Sequence, residues 1–221
     1  MKKSIYSLVL MDSVVEAADR LAATLGTSRS NLINQILAER LSCPTPEMRM
    51  RDIFSQLEEL VATADVFQLQ PQPSDSMLSV RSSLQYRYKP TIRYSVELLR
   101  EPSEYFGVLK VSFRTQSAQL VAELERFFLF WSELEKRYLA GKFQKPIRYT
   151  LEDGRLTRTL MLPQDSALCA NKTLGNAIYD YIRVFDRILK HTFSLPENPA
   201  LARRRAETEY QKELAAGNLL I

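Results

Sequence analysis

The first forty residues predict one β-strand followed by two helices, a combination that cannot fold alone. Side chains alternate over residues 4–10, with Tyr6, Leu8 and Leu10 on one face, which is typical of a strand. The segment contains no second strand for it to pair with, and some forty residues cannot bury enough apolar surface by themselves. The pattern therefore predicts a symmetric dimer in which two strands pair antiparallel and four helices pack beneath them.

Both helices have recognisable ends. Asp12 or Ser13 is a candidate N-cap for the first helix, and Gly26 falls where a helix C-terminus favours left-handed backbone. Ser28 is the predicted N-cap of the second helix. Apolar residues at three- and four-residue steps give each helix one apolar stripe, formed by Val14, Ala17, Ala18, Leu21, Ala22 and Leu25 in the first and by Leu32, Ile33, Ile36, Leu37 and Leu41 in the second.

Residues 1–43 contain a pattern that points to a family. It consists of the segment Lys2–Leu10, the residues Ser13-Val14-Val15 and Leu21-Ala22, and the run Leu25–Ile33 with its Gly-Thr-Ser-Arg-Ser turn. This pattern resembles the ribbon-helix-helix family of DNA-binding repressors. The resemblance implies a β-ribbon that enters the major groove of double-stranded DNA and a second helix whose N-terminus holds a phosphate. It places on DNA the residues Lys2, Lys3, Ile5, Ser7, Val9, Ser28, Arg29 and Ser30.

The chemistry of these positions leaves two interpretations open. A helix that opens at Ser28 directs free N–H groups and a positive dipole end outward, which suits a phosphate. Ile5 and Val9 are aliphatic, so they can contact thymine methyl groups but cannot form bidentate hydrogen bonds with bases. The net charge of the segment is only +1. The alternative is therefore a unit that dimerises without binding DNA.

Composition excludes several classes of site. The chain has 221 residues, a formal charge of +4, two Cys and one His, so neither a disulfide framework nor a Cys-based zinc site can be assembled. The sequence also lacks a glycine-rich phosphate loop. His191 lies near a predicted helix end, and Glu133 and Glu135 are two apart on a helix and do not share a face. We expect no cofactor, no metal and no enzymatic activity.

Targeting and membrane segments are not expected. The apolar run after Lys3 ends at Asp12, about the minimum length for the core of a signal peptide, and no small-residue cleavage site follows. The densest later stretch, Phe127–Trp131, is far shorter than a membrane span and suits a core helix. A cytoplasmic location follows as the expectation.

The remaining chain predicts an α+β domain with an antiparallel sheet. A linker at residues 44–46 contains two prolines and precedes a domain over residues 47–198, with a charged tail at residues 199–221 that is expected to form a loosely docked helix. The predicted order is α-βββ-α-ββ-α. Its first element is a helix to about residue 64, with Thr45 as N-cap and Pro46 at the first helical position. Strands follow at 78–88, 91–99 and 107–115, and then a helix at 116–140. Strands at 147–152 and 155–162 flank Asp153-Gly154, a strong hairpin-turn signal, and a helix at 171–192 comes last.

One stretch of the second domain is a secondary candidate for binding anions or nucleic acid. Residues 76–96 contain four cations and no acid, and Arg87, Lys89 and Arg93 alternate with tyrosines. Period-2 alternation also fits a plain hairpin with a tyrosine core face and a solvated basic face. Both interpretations stay open.

Together these features predict a dimeric, sequence-specific DNA-binding protein that acts as a transcriptional regulator, most simply a repressor. Its partners would be double-stranded DNA and a second copy of itself, and its C-terminal domain would oligomerise or sense a small-molecule effector. The alternative is a protein–protein interaction module, such as an antitoxin, a partition protein or a structural adaptor, that uses the N-terminal unit only to dimerise.

Overall fold

A computed structural model describes residues 5–41, 43, 45–71, 74–84, 90–194, 198–219 and 221. The chain is of the α+β class and divides into two compact units, Met1–Arg49 and Met50–Ile221. The boundary falls in the first turn of a helix, a few residues beyond the predicted linker at 44–46. Pro44 lies outside the described residues.

The first unit contains the two predicted helices, α1 (Asp12–Thr24) and α2 (Arg29–Arg40). Gly26 separates them with φ +62°, the left-handed conformation that glycine adopts without steric cost. Ser28 is the N-cap of α2 as predicted, and its hydroxyl accepts a hydrogen bond from the Asn31 N–H at 3.3 Å. The predicted cap of α1 is wrong, because Met11 occupies that position and Asp12 is already helical, with no side-chain cap.

The predicted strand over residues 4–10 is not formed in the single chain. Residues 5–11 have no regular secondary structure, and residue 4 lies outside the described part. A strand is defined by hydrogen bonds to a neighbour, and the first unit offers none. Pairing with a second copy therefore stays a prediction.

Helix α3 (Pro46–Ala62) begins as predicted, with Thr45 as its cap. The Thr45 hydroxyl accepts a hydrogen bond from the Met48 N–H at 3.1 Å, and Pro46 occupies the first helical position, where its missing N–H costs nothing. The helix ends two residues earlier than expected. Its buried side chains Met50, Ile53, Phe54, Leu57 and Val61 contribute to the core of the second unit.

The second unit is built on a six-stranded sheet in which every neighbouring pair of strands is antiparallel. The strand order is β1-β2-β3-β4-β6-β5. The strands are β1 (Gln68–Leu69), β2 (Met77–Ser83), β3 (Thr91–Leu98), β4 (Tyr105–Arg114), β5 (Tyr149–Glu152) and β6 (Arg155–Met161). The two-residue β1 was not predicted. Four of the other strands match predicted strands with bounds shifted by a few residues, and β2 matches the first part of the strand predicted at 78–88, of which residues 85–88 lie outside the described residues. The Asp153-Gly154 turn between β5 and β6 has positive φ at both residues, as a tight hairpin turn requires.

One face of this sheet packs against helices and forms the core. Side chains alternate along β3, where Ile92, Tyr94, Val96 and Leu98 are buried. Helices α4 (Ala118–Tyr138) and α5 (Asn171–Phe193) supply the aromatic side chains of the core. Trp131 is fully buried, and its ring centroid lies 4.7 Å from that of Phe185. The aromatic run Phe127–Trp131 therefore contributes mainly to the core.

Helix α6 (Pro199–Ala215) is packed more closely than the predicted loosely docked tail. Asn198 caps it by accepting the Leu201 N–H at 3.0 Å. Tyr210 is fully buried, with its ring centroid 5.3 Å from that of Trp131, and Leu219 and Ile221 are buried after the helix. The segment is therefore part of the core of the second unit, and its high content of charged residues concealed this.

Candidate nucleic-acid interface

The first unit exposes most of the large apolar side chains that it contains. Of the sixteen exposed large apolar residues in the described chain, twelve lie between residues 5 and 41. Its own buried cluster consists of only three residues, Ala18, Ala22 and Leu32. Contiguous exposed apolar surface on a small unit marks an interaction site. The exposed residues are Ile5, Tyr6, Leu8, Val9, Leu10, Met11, Val14, Leu21, Leu25, Ile36, Leu37 and Leu41.

The exposed side chains include positions on both faces of the predicted strand. Ile5 and Val9 are as exposed as free side chains, at 101% and 102%, whereas Leu10 on the other face is 40% exposed. Ser7 is also exposed, and Lys2 and Lys3 lie outside the described residues. The three described candidate base-reading residues are therefore accessible.

The N-terminus of α2 brings together the predicted phosphate-binding residues. Arg29 and Ser30 are the first two helical residues after the Ser28 cap, and both are exposed. The guanidinium of Arg29 also forms an ion pair with Asp19 on α1, with 3.0 Å between Nη1 and Oδ2. Both side chains are about half exposed, so this pair is weak and a phosphate can compete for Arg29.

The secondary basic patch is only partly described. Arg87 and Lys89 lie outside the described residues. Arg93 is exposed on β3, where its Nη2 donates to the Ser79 hydroxyl at 3.3 Å, and Tyr94 next to it is fully buried. Period-2 alternation thus separates cation from aromatic here, so Tyr94 is no stacking partner for a base.

A buried ion pair that sequence reasoning missed lies in the second unit. Arg158 on β6 donates from Nε to Glu135 Oε2 on α4 at 2.9 Å, and neither side chain is accessible. The same carboxylate oxygen accepts hydrogen bonds from the hydroxyls of Tyr149 at 2.8 Å and Tyr181 at 3.1 Å. Tyr181 in turn accepts the Trp131 indole N–H at 2.8 Å. The network ties α4, α5, β5 and β6 together.

Burial and charge explain the ionisation of this cluster. Burial works against the charge of Arg158, but the adjacent Glu135 carboxylate holds the pKa of Arg158 above its ordinary value. Burial raises the pKa of Tyr149, and the Glu135 carboxylate adds to this, so the phenol stays protonated as a donor. The cluster is therefore a buried ion pair whose donors are bonded, whereas Glu135 Oε1 accepts no hydrogen bond within the described residues. A signal for it was present in the sequence, since Arg158 alternates with Leu156 and Leu160 at a core-facing strand position.

A second buried carboxylate connects α5 to the sheet. Asp186 accepts hydrogen bonds from the hydroxyls of Ser82 on β2 and Tyr94 on β3, the latter at 2.9 Å, and pairs with Lys190 Nζ at 2.6 Å. Burial, reinforced by Asp186, raises the pKa of Tyr94. This group holds α5 against β2 and β3.

The surface residues considered for chemistry have ordinary surroundings. His191 lies on α5 with its Nδ1 3.0 Å from Glu209 on α6. Of the two cysteines, Cys43 is exposed and Cys169 is half-buried in a short 3₁₀ helix, Ser166–Cys169. No group of three or more potential metal ligands occurs in the part of the chain that the structure describes. Among the same residues, no helix is long and apolar enough to cross a bilayer.

A cavity of about 310 Å³ lies between the end of α4 and the loop before β5. Its wall combines apolar side chains and two lysines with a carboxylate, and includes Glu135, Lys136, Leu139, Phe143, Lys145 and Tyr149. Larger cavities of about 570 and 700 Å³ lie elsewhere on the second unit, so cavity size alone does not identify a ligand site.

Comparisons with protein-family models, with curated proteins and with solved structures found no match to this chain.

Proposed function

We propose that the chain is a DNA-binding protein that acts as a dimer, with the N-terminal unit of two copies forming one ribbon-helix-helix domain. The observation that carries the proposal is the concentration of exposed apolar side chains in residues 5–41. Burying an apolar side chain gains roughly 1.5–3 kcal/mol, so a second copy that covers the same stripe would stabilise both units. Antiparallel pairing of residues 4–10 would at the same time supply the missing strand neighbour.

Two surfaces of the same unit support the DNA-binding part of the proposal, namely the N-terminus of α2 and the outer face of the predicted ribbon. Ser28, Arg29 and Ser30 present the N-terminus of a capped helix, where phosphate oxygens bind backbone N–H groups. On the ribbon, Ser7 can exchange hydrogen bonds with a base edge, while Ile5 and Val9 can contact thymine methyl groups. In a dimer these contacts occur twice, at half-sites related by the two-fold axis. Such a protein would regulate transcription by occupying an operator.

The alternative function is a protein–protein interaction module that uses the first unit only to dimerise. Two observations favour it: the aliphatic side chains at two of the three ribbon positions, and the ion pair that Arg29 already makes with Asp19. A partner protein would then cover Ile5 and Val9 as apolar contacts.

Dimerisation is tested with paired variants on the two faces of the predicted strand. Leu8→Lys places a charge in the proposed dimer core and should shift the full chain from dimer to monomer in sedimentation velocity at micromolar concentration. Val9→Lys places the same charge on the ribbon's outer face and should leave the dimer intact. A wild-type chain that sediments as a monomer at about 100 μM would contradict the proposal.

DNA binding is tested with the full chain and random-sequence duplex DNA at low salt. Wild-type protein should bind with an affinity that falls steeply as salt rises, because phosphate contacts release counterions. Arg29→Ala should weaken binding to all sequences, whereas Ser7→Ala should change the preferred sequence selected from a random library. A protein that dimerises but leaves duplex DNA unbound at 50 mM salt would favour the interaction-module alternative.

A further inference from the structure

The face of the sheet that points away from the core contains three neighbouring arginines at one end. The side chains that alternate with the core-facing ones are Met77, Ser79, Arg81 and Ser83 on β2, Thr91, Arg93, Ser95 and Glu97 on β3, and Val108, Lys110, Ser112 and Arg114 on β4. Arg81 and Arg93 are direct cross-strand partners, and Arg114 is the partner of Thr91, two residues along β3 from Arg93. All three arginines are exposed.

This arrangement places like charges directly opposite one another without compensation. A cross-strand pair of like charges is destabilising. In the described chain, Arg81 donates only to the Gln68 amide oxygen at 3.0 Å and Arg93 only to the Ser79 hydroxyl, while Arg114 has neither a hydrogen bond nor an ion pair through its side chain. None of the three guanidinium groups therefore forms an ion pair with a carboxylate of the described residues, although Glu125 and Asp153 line the same surface cavity as Arg114.

Elsewhere on the same face, charge is compensated. Lys110 lies 2.6 Å from Glu97, in an ion pair between β4 and β3. Arg155 on β6 is also exposed, but Glu152 is its cross-strand partner. The three arginines therefore form a patch of positive charge, and the repulsion between them lowers the stability of the sheet.

The dimensions of this patch fit a polyphosphate backbone. Neighbouring strands lie about 4.8 Å apart, so three adjacent strands spread the arginines over roughly 10 Å. Each strand of B-DNA carries one phosphate per roughly 3.4 Å of helix axis, so the patch matches two or three phosphates. None of the twelve positions named above is aromatic, and Tyr105, at the opposite end of β4 from Arg114, carries Arg148 over its ring. The described residues beside the arginines therefore offer no base-stacking platform of the kind that single strands use.

We propose that Arg81, Arg93 and Arg114 form a second DNA-contact surface, which binds the sugar–phosphate backbone of duplex DNA without reading its sequence. The proposal rests on the DNA binding assigned above to the first unit and adds the affinity that a segment of net charge +1 does not supply. Because both surfaces belong to one chain, binding of the first unit raises the effective concentration of the second at the same DNA.

The test compares full-length wild-type protein with the R81Q/R93Q/R114Q variant on a fluorescent 30-base-pair duplex between about 50 and 300 mM NaCl. Each lost phosphate contact lowers the slope of log K against log salt by about 0.9, so the triple variant should show a slope shallower by roughly 2–3 per chain. Its affinity at 50 mM salt should fall at least about tenfold. Lys110→Gln, which removes a compensated cation from the same face, should leave the slope within about 0.5 of wild type.

The outcomes separate this proposal from the proposed function. In one outcome, wild-type protein binds duplex DNA, Arg29→Ala weakens that binding, and the triple variant keeps the wild-type salt slope. This result overturns the proposed DNA contact on the sheet and leaves the proposed role of the first unit intact. If wild type leaves duplex DNA unbound at 50 mM salt, both proposals fall. In a third outcome, wild-type protein binds single-stranded DNA of the same length more tightly than duplex, and the triple variant loses this preference. This result also overturns the proposal that the arginine patch binds duplex DNA.

Folding of the variants is checked through the fluorescence of Trp131, the single tryptophan, which is fully buried in the second unit. If the triple variant loses the wild-type emission spectrum, Arg114→Gln alone decides the question, because this side chain makes no hydrogen bond or ion pair in the described chain. It should reduce the slope by about 1, and an unchanged slope in this variant overturns the proposal.

Discussion

Arg158 and Glu135 form an ion pair at the centre of the second unit, with 2.9 Å between Nε and Oε2 and 1% and 0% of their side chains exposed. Removing one member of a buried pair leaves an uncompensated charge, which typically costs about 3–5 kcal/mol. We expect Arg158→Met to lower the free energy of unfolding by this amount. The measurement is urea unfolding of the full chain, followed by Trp131 fluorescence.

The matched control for this ion pair is the double variant E135L/R158M. It removes both charges and fills the space with apolar groups, so it should be more stable than Arg158→Met alone. The loss in free energy of unfolding of the double variant is compared with the sum of the losses of Glu135→Leu and Arg158→Met. Equal values would show that the two residues do not interact as the structure indicates.

Gly175 lies at a close approach of α5 to α3. A Cβ at this position would lie 2.8 Å from the Cβ of Gln56 and 2.9 Å from the carbonyl oxygen of Ile53. Alanine favours a helix over glycine by about 1 kcal/mol, but overpacking costs about 1–3 kcal/mol. We therefore expect Gly175→Ala to lower the melting temperature of the second unit, whereas Lys172→Ala on the exposed side of the same helix should change it little. A Gly175→Ala chain as stable as wild type would contradict this close approach.

The opposed arginines on the sheet also predict a stability effect. Arg81→Gln removes one of two like charges that are direct cross-strand partners, so it should raise the free energy of unfolding by about 0.2–1 kcal/mol. The gain should shrink at high salt, where repulsion is screened. Lys110→Gln should instead lower the free energy of unfolding, because it breaks the ion pair with Glu97. Thermal unfolding at 20 mM and 500 mM NaCl would measure both, and an Arg81→Gln gain independent of salt would argue against repulsion as its cause.

The contact between α5 and α6 predicts part of the pH dependence of stability. Burial works against the charge of Glu213, but hydrogen bonds from Asn218 at 2.7 Å and from Arg187 outweigh it and lower the pKa of Glu213. A carboxyl with a lowered folded-state pKa stabilises the fold above its unfolded pKa, about 4.3, and this contribution is lost as pH falls through the folded value.

We therefore expect Glu213→Gln to lower stability near pH 7 and to flatten the loss of stability below about pH 4.3. Urea unfolding at a series of pH values would measure both effects. Glu133→Gln, at an exposed position on α4, should keep the wild-type profile. An acid-side slope that is the same in Glu213→Gln and wild type would contradict the assignment.

Local patterns predicted most elements of the fold. Apolar periodicity located α4 and α5 to within a few residues, and Asp153-Gly154 predicted the hairpin between β5 and β6 because few other residues tolerate positive φ at both turn positions. The predicted order of elements lacked the two-residue β1 and the short 3₁₀ helix, which are too short to produce a pattern.

Other features depend on tertiary contacts that no local pattern encodes. Glu135 is polar by residue type, yet it lies on the buried side of α4, where Arg158 and two tyrosines all donate to its Oε2. The charged sequence of α6 concealed Ala202, Ala206 and Tyr210, which form its buried stripe. Pairing of residues 4–10 depends on a second copy, so neither a local pattern nor a single chain determines it.

Only part of the candidate site could be predicted from the sequence, for a similar reason. Capping chemistry is local, so the Ser28 cap and the helix start at Arg29 could be read from the turn sequence. The patch of Arg81, Arg93 and Arg114 depends on the register of β2, β3 and β4, which brings together residues up to 33 positions apart. The acid-free stretch of sequence indicated Arg81 and Arg93 but not Arg114.

The lengths of the strands have a consequence for how copies of this chain can associate. The two edge strands of the sheet are its shortest, with two residues in β1 and four in β5, whereas the inner strands have seven to ten. Short edge strands give an incoming strand few free N–H and C=O groups to extend the sheet, a common protection against aggregation. Strand exchange between copies is thereby discouraged in the second unit, which leaves residues 5–10 as the segment best placed to pair across chains.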